Sequence, residues 1–294
     1  MSDPSTPLKH PIRYRLEAAA ARTMLAVLGL FSVDAVSGFG AWLGRTVGPL
    51  TRAHKIAARN LERSLPERDA ASRAAILNGA WDNFGRTMME YAVIPKLEGR
   101  VEIEGHEELA RLAREGKPAL LMTGHLGNWE LIFDALRLHT KPITAVYRKA
   151  NNPLVDEMIA EVRLRGVAGL APKGPAGARI VLSDLKHGGH VVMLVDQKLS
   201  SGVDVPFFGR AAATAPAIAS FALRLGCPVF PIRVIRRGGA HFKVSIEKPW
   251  HFTPTDNHDA DILNALTQIN GKLEDWIRER PEQWLWMHRR WRGE

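Results

Sequence analysis

The stretch Pro118-Ala119-Leu120-Leu121-Met122-Thr123-Gly124-His125-Leu126-Gly127-Asn128-Trp129-Glu130 constrains this chain more than any other. It opens with an apolar run of strand length, breaks at Gly124, presents His125 and continues into Trp129-Glu130-Leu131-Ile132-Phe133, which reads as a helix. A parallel α/β sheet carries its working groups at the carboxyl ends of its strands, so His125 stands where a catalytic base is expected. A carboxylate at Glu130 can bond one ring nitrogen of His125, fixing the tautomer and leaving the other nitrogen to take a proton. Gly124 and Gly127 leave backbone amides bare enough to approach a developing oxyanion. No nucleophile accompanies the pair, so the substrate brings its own hydroxyl and the chemistry is transfer onto an alcohol. The plainer alternatives are a structural histidine after a strand and a glutamate serving the dipole of its helix.

Gly124-His125-Leu126-Gly127-Asn128-Trp129-Glu130 resembles the signature of the bacterial lipid A late acyltransferases, the lauroyl and myristoyl transferases of lipopolysaccharide synthesis. These share the His-x4-Asp/Glu motif of the lysophospholipid and glycerolipid acyltransferase superfamily. Several further blocks match in order. They are Asn60-Leu61 with Pro66-Glu67, Asn83-Phe84-Gly85-Arg86 with Glu90, and Tyr147-Arg148 with Asn151-Asn152-Pro153. Asp196 with Val205-Pro206-Phe207-Phe208-Gly209 and the terminal Trp284-x-Trp286-x-His288-Arg289-Arg290-Trp291 complete the series. The block at Asp196 departs from the Phe-Pro-Glu-Gly-Thr-Arg type of the glycerol-phosphate branch, which argues against simple glycerophosphate as acceptor.

A chain of 294 residues with 46% hydrophobic content fits one large α/β domain better than two. No linker, low-complexity tract or internal repeat divides it. The single Cys227 rules out an internal disulfide and any multi-cysteine metal site. A net charge of +9 calls for acidic partners, and nucleic acid, anionic lipid headgroups or an acidic carrier protein would all serve. No zinc-finger spacing, RNA-recognition motif or heptad-linked basic region points to nucleic acid. Gly-x-Ser-x-Gly and His-Glu-x-x-His strings are also missing, against a serine hydrolase or zinc protease.

Met1 to Arg13 is polar and lacks the apolar core and cleavage site of a secretory signal. From Leu16 to Leu50 the chain turns apolar, but Asp34, Gly38 and Gly40 compromise a span of about 20 apolar residues. The expectation is a hairpin of two short helices in one leaflet, with Arg13, Arg15, Arg22, Arg45 and Arg52 available to phosphates. A single transmembrane anchor and a pair of helices merely covering the sheet are the alternatives. Residues 1–15 are expected as a polar tail, 16–52 as a membrane-associating arm and 53–294 as the acyltransferase domain.

Further strands are expected at Val101–Gly105, Pro142–Arg148, Val191–Val195, Cys227–Val234 and Phe242–Ile246, and a loop at Leu170–Gly174. Pro228 and Pro231 suggest an edge or a bend in the strand that holds them. On the helix around Trp81 to Tyr91, Asn83, Arg86 and Glu90 share one side, opposite an aromatic and Met stripe.

The resemblance implies a mixed, largely parallel central sheet flanked by helices, and transfer of a fatty acyl chain to a hydroxyl of a lipid A precursor. The donor implied is acyl carrier protein, with acyl-CoA the alternative, and neither metal nor bound cofactor is required. His125 and Glu130 are the catalytic pair, and Arg148 with amides near Gly124 or Gly127 stabilises the oxyanion or a phosphate. Asn83, Arg86, Glu90, Asn128, Asn151, Asp196, Arg289 and Arg290 are implied substrate contacts. The place implied is the cytosolic face of the inner membrane. Another glycolipid acceptor such as a phosphatidylinositol mannoside, and a non-enzymatic basic membrane-binding protein, are the rival readings.

Overall fold

The computed structural model describes residues 10–136 and 143–292, the side chain of Asp134 excepted. Most of the polar tail expected over 1–15 lies outside them, and its last residues already belong to the first helix, α1 (Pro11–Leu28). Three more helices follow: α2 (Val33–Val47), α3 (Arg52–Ser64) and α4 (Ala70–Glu90). After β1 (Val101–Glu104) and α5 (Glu107–Glu115) comes the His125 strand, β2 (Ala119–Thr123), with α6 (Leu131–Leu136) behind it. Then β3 (Ile143–Tyr147), α7 (Pro153–Arg163), β4 (Gly169–Pro172), α8 (Pro175–Lys186) and β5 (His190–Leu194) alternate. The chain closes with β6 (Lys198–Phe207), β7 (Arg210–Thr214), α9 (Ala217–Leu225), β8 (Val229–Gly238), β9 (His241–Ile246) and α10 (His258–Glu279).

Every residue of β2 is buried. Leu120 and Met122 pack with Val191, Met193, Leu273 and Trp284 on one face, while Leu121 meets Val192, Phe230 and Leu131 on the other. A strand apolar on both faces suits a parallel sheet with helices on each side. The sheet has seven strands in the order β1-β9-β8-β2-β5-β3-β4. All ladders are parallel except β8 with β9, so the sheet is mixed and largely parallel, as expected.

Two local expectations change. Leu170–Gly174 is not a loop throughout: Gly169–Pro172 pairs with β3 as the edge strand, where Pro172 needs no donor. The proline-bearing β8 is interior rather than an edge. Its ladder with β2 ends at Pro231 and the antiparallel ladder with β9 begins at Ile232, so the missing N–H falls at the handover. The Val205–Gly209 block is the tip of a separate hairpin, β6 with β7. Phe208 and Gly209 form its two-residue turn, both at positive φ (51° and 67°), as a turn matching the strand twist requires.

The apolar arm does form two helices, yet α2 is packed into the domain through backbone contact with α4. A Cβ on Gly40 would lie 2.5 Å from the Gly85 carbonyl oxygen, whereas one on Gly38 meets nothing within 4 Å. Thus a glycine that weakens a spanning reading serves helix packing. Outward, Phe39 and Trp42 of α2 join Ile12, Leu16 and Val27 of α1 and Leu30 and Phe31 between the helices as exposed apolar groups. Among the described residues no helix is long and apolar enough to cross a membrane. Gly40→Ala is expected to destabilise by about 1–3 kcal/mol through overpacking. Gly38→Ala, which relieves a glycine in open helix, should be neutral or gain up to about 1 kcal/mol. Urea denaturation of the two variants checks the contrast.

Candidate active site

β2 and β5 are neighbours in register, Thr123 opposite Leu194, so the residues just past their carboxyl ends meet. There the His125 Nδ1–H donates to Asp196 Oδ1 at 2.7 Å, and the His125 amide donates to Oδ2 at 2.8 Å. The Trp284 indole donates to the same Oδ2 at 2.9 Å. Burial alone would raise the Asp196 pKa, but the facing His125 and these hydrogen bonds pull it well below the ordinary carboxylate range. The ionised carboxylate fixes the proton on Nδ1 and leaves Nε2 as an acceptor. Nε2 receives the Gln197 side-chain amide at 3.3 Å. A Cβ at Gly124 would stand 3.3 Å from the Asp196 carboxyl carbon, so the small residue makes room for this carboxylate.

Glu130 does not hold His125. Its carboxylate accepts from Arg163 Nε at 2.8 Å and Nη2 at 2.5 Å and from the Trp129 indole at 3.0 Å. The Tyr91 hydroxyl also bonds it, and burial first, then Glu130, holds the phenol pKa well above its usual value. The expectation fails because residues 125–130 are a turn rather than a helix, so their spacing does not align the two side chains. A buried guanidinium then claims the carboxylate. Glu130 reaches the imidazole only through Trp129, whose ring stands edge-on to His125 at a centroid distance of 5.0 Å.

Much of the polar side of α4 is buried behind the His125 turn, while Asn83 and Arg86 also border a separate open cavity with Arg45, Asp82 and Arg236. Arg236, from the end of β8, donates to Glu90 (2.6 and 3.0 Å), to Asn83 Oδ1 (2.8 Å) and to Thr87 Oγ1 (3.2 Å). Asn128 donates to Glu90 at 2.7 Å, and Asn83 and Thr87 donate to the Gly127 carbonyl at 3.0 and 3.1 Å. Glu90 and Asn128 are fully buried, so they hold the turn rather than face a ligand. Gly127 is pinned at φ 57°, where a Cβ would come within 2.5 Å of the Val234 carbonyl oxygen. Its amide donates to the Gln283 carbonyl at 3.1 Å, so it is not the oxyanion donor expected. Arg86 binds Asp82 at 2.5 Å and Ser37 at 3.0 Å.

Arg290 is likewise no substrate contact. It is fully buried and donates to the Ala213 carbonyl at 3.1 Å and the Thr214 hydroxyl at 2.8 Å. The tail aromatics Trp284, Trp286 and Trp291 are buried against Phe207 and Phe208 rather than offered to a membrane or nucleic acid. Arg148, Asn151 and Arg289 are exposed. Arg148 lies near Lys173, whose pKa is lowered by desolvation, with Arg148 adding to the effect and Asp196 opposing it.

His125, Gln197 and Trp129 border an open cavity of about 390 Å³, lined otherwise chiefly by Met24 and Leu25 of α1, Met88 of α4 and Met158 and Ile159 of α7. Asn152, which caps α7, donates to the Tyr14 carbonyl and to Glu17, both at 3.0 Å, and so ties α1 over this cavity. The sequence assigned no role to Gln197, Lys173 or Arg236, and read Asp196 as a substrate contact. The available signal was a polar group at the carboxyl end of each apolar strand; which strands lie side by side was not visible.

The profile of the family described as bacterial lipid A biosynthesis acyltransferase matches residues 3–293. The lipid A biosynthesis lauroyltransferase of Escherichia coli (strain K12) is 26% identical over 298 residues, covering 98% of this chain and 94% of that one. A lipid A biosynthesis acyltransferase of Haemophilus influenzae is 26% identical, over 86% of this chain and 80% of that one. The palmitoleoyltransferase of E. coli is 24% identical, over 86% and 83%. The solved 1-acyl-sn-glycerophosphate acyltransferase PlsC of Thermotoga maritima covers 84% of this chain and 95% of its own, at 12% identity and a TM-score of 0.38. The fold assignment rests on the strand order above. The sheet carries a carboxylate-held histidine at its strand ends, facing an apolar cavity, the arrangement of a candidate active site. The chain belongs to the bacterial lipid A biosynthesis acyltransferase family.

His288, near this site, has its pKa lowered from 6.5 to about 4, chiefly by burial. Asp196 opposes the shift, while His125, Arg290 and Lys173 reinforce it. The unfolded chain therefore binds the extra proton first, and stability is lost as pH falls from about 6.5 through about 4. Denaturant midpoints measured across that window should fall less steeply for His288→Gln than for the wild type.

Proposed function

We propose that the chain moves a fatty acyl group from an acyl carrier protein thioester to a hydroxyl of a lipid A precursor, with no covalent enzyme intermediate. The observation that carries this is the His125–Asp196 pair at the edge of an apolar cavity, with Nε2 as the proton acceptor. Cys227 is buried and is no candidate nucleophile there. His125 takes the proton of the acceptor hydroxyl, and Asp196 orients the ring and stabilises the imidazolium that forms. A thioester is already activated, so the step needs neither metal nor cofactor. The cavity takes the acyl chain, and the exposed Arg148 with Lys173 meets the sugar phosphates. The net charge of +9 suits both those phosphates and an acidic carrier. Glu130 acts at one remove, with Arg163, by holding Trp129 against His125.

Purified protein incubated with acyl carrier thioesters, or acyl-CoA, and a tetra-acylated Kdo-bearing lipid A precursor is expected to yield a product heavier by one acyl chain. His125→Ala and Asp196→Asn should each lower the rate by about 10²–10⁴-fold while keeping the fold. Product only on another glycolipid acceptor, or none on any, refutes the assignment.

The chain sits at a cytosolic membrane surface through the exposed apolar face of α1 and α2, without spanning. The double variant Phe39→Ser/Trp42→Ser should cosediment with anionic vesicles several-fold less than wild type. Equal cosedimentation would remove this face from the membrane contact.

A further inference from the structure

The amide of Gln197 stands within hydrogen-bond reach of the nitrogen that must accept a proton, and the proposed reaction so far gives it no work. Its Nε2 lies 3.3 Å from His125 Nε2, and its Oε1 lies 3.5 Å from the Lys173 ammonium. The two contacts agree on the orientation of the amide: the carbonyl end faces a cation and the donor end faces the imidazole lone pair. Gln197 also borders the apolar cavity beside His125, at the end where a carbonyl delivered with its acyl chain in that cavity would arrive. Of the backbone amides expected to serve an oxyanion, that of Gly127 is committed to the Gln283 carbonyl.

We infer that Gln197 is a catalytic residue with two successive partners: it caps the His125 base in the resting protein, and in transfer it donates to the oxyanion of the thioester carbonyl. This rests on the acyltransfer reading. The acceptor hydroxyl displaces the amide from Nε2 and gives its proton to that nitrogen. Its oxygen forms a bond to the thioester carbon, and the carbonyl electron pair moves onto the oxygen, where the released Gln197 amide donates. When the carbonyl re-forms, the carbon–sulfur bond breaks and the thiolate leaves with the proton from Nε2. Lys173 is a positioning residue, holding the amide from behind and adding positive charge to the site.

The test combines two measurements on the full chain. The ¹⁵N resonance of His125 Nε2 is recorded in wild type and Gln197→Leu without substrate, where loss of the donor should move it downfield. Transfer rates from acyl carrier thioester to the tetra-acylated precursor are then compared among wild type, Gln197→Leu, Gln197→Asn and Lys173→Met. Removing a single oxyanion donor costs about 10²–10³-fold in kcat, so Gln197→Leu should lose that much with KM for the donor nearly unchanged. Gln197→Asn, which keeps the amide, should recover part of the loss, and Lys173→Met should lose about tenfold or less. An unmoved Nε2 resonance, or a Gln197→Leu kcat within about threefold of wild type, overturns the inference while leaving the proposed function standing. A wild-type protein that transfers nothing, with a resonance that still responds to Gln197, sinks the acyltransfer reading and the oxyanion role together but not the resting contact.

Discussion

The buried carboxylate of Asp196 is the tie on which the arrangement depends. It gathers donors from the turn after β2 and from the C-terminal tail, through the His125 ring and amide and the Trp284 indole. An ionised carboxylate away from water is tolerable only with its lone pairs satisfied. The site therefore exists only when β2, β5 and the tail are all in place. The imidazole geometry is thus a consequence of how these elements pack.

A second buried charge system holds the turn from behind. The Arg236 guanidinium, paired with Glu90 and bonded to Asn83, fixes the groups that grip the Gly127 carbonyl. Removing one member leaves an uncompensated charge in the interior, which is far costlier than losing a surface pair. Glu90, which reads in sequence like a ligand-facing residue of α4, is thus a structural one, whereas Arg86 borders an open cavity. Arg163 with Glu130 is a third such pair, and through Trp129 it supports the outer side of the imidazole.

The helical arm serves two surfaces at once. The inner side of α2 packs backbone to backbone on α4, while α1, tied to α7 by Asn152, covers the apolar cavity. Their outer sides present the exposed aromatic and aliphatic groups.

Much of this was legible in the residues. The apolar runs ending in polar groups marked the strands and put His125 at a carboxyl end, because local hydrophobic pattern and turn chemistry are carried by neighbours in the chain. The family was legible too, from ordered motifs with their spacing. What the sequence could not supply was adjacency. That Asp196, 71 positions from His125, is its partner follows from β5 lying beside β2. That Glu130, five residues away, is not follows from the turn and from the competing Arg163. Strand order and the pairing of buried charges are set by the global packing of both core layers, a property of all the elements together, and only the tertiary structure decided them.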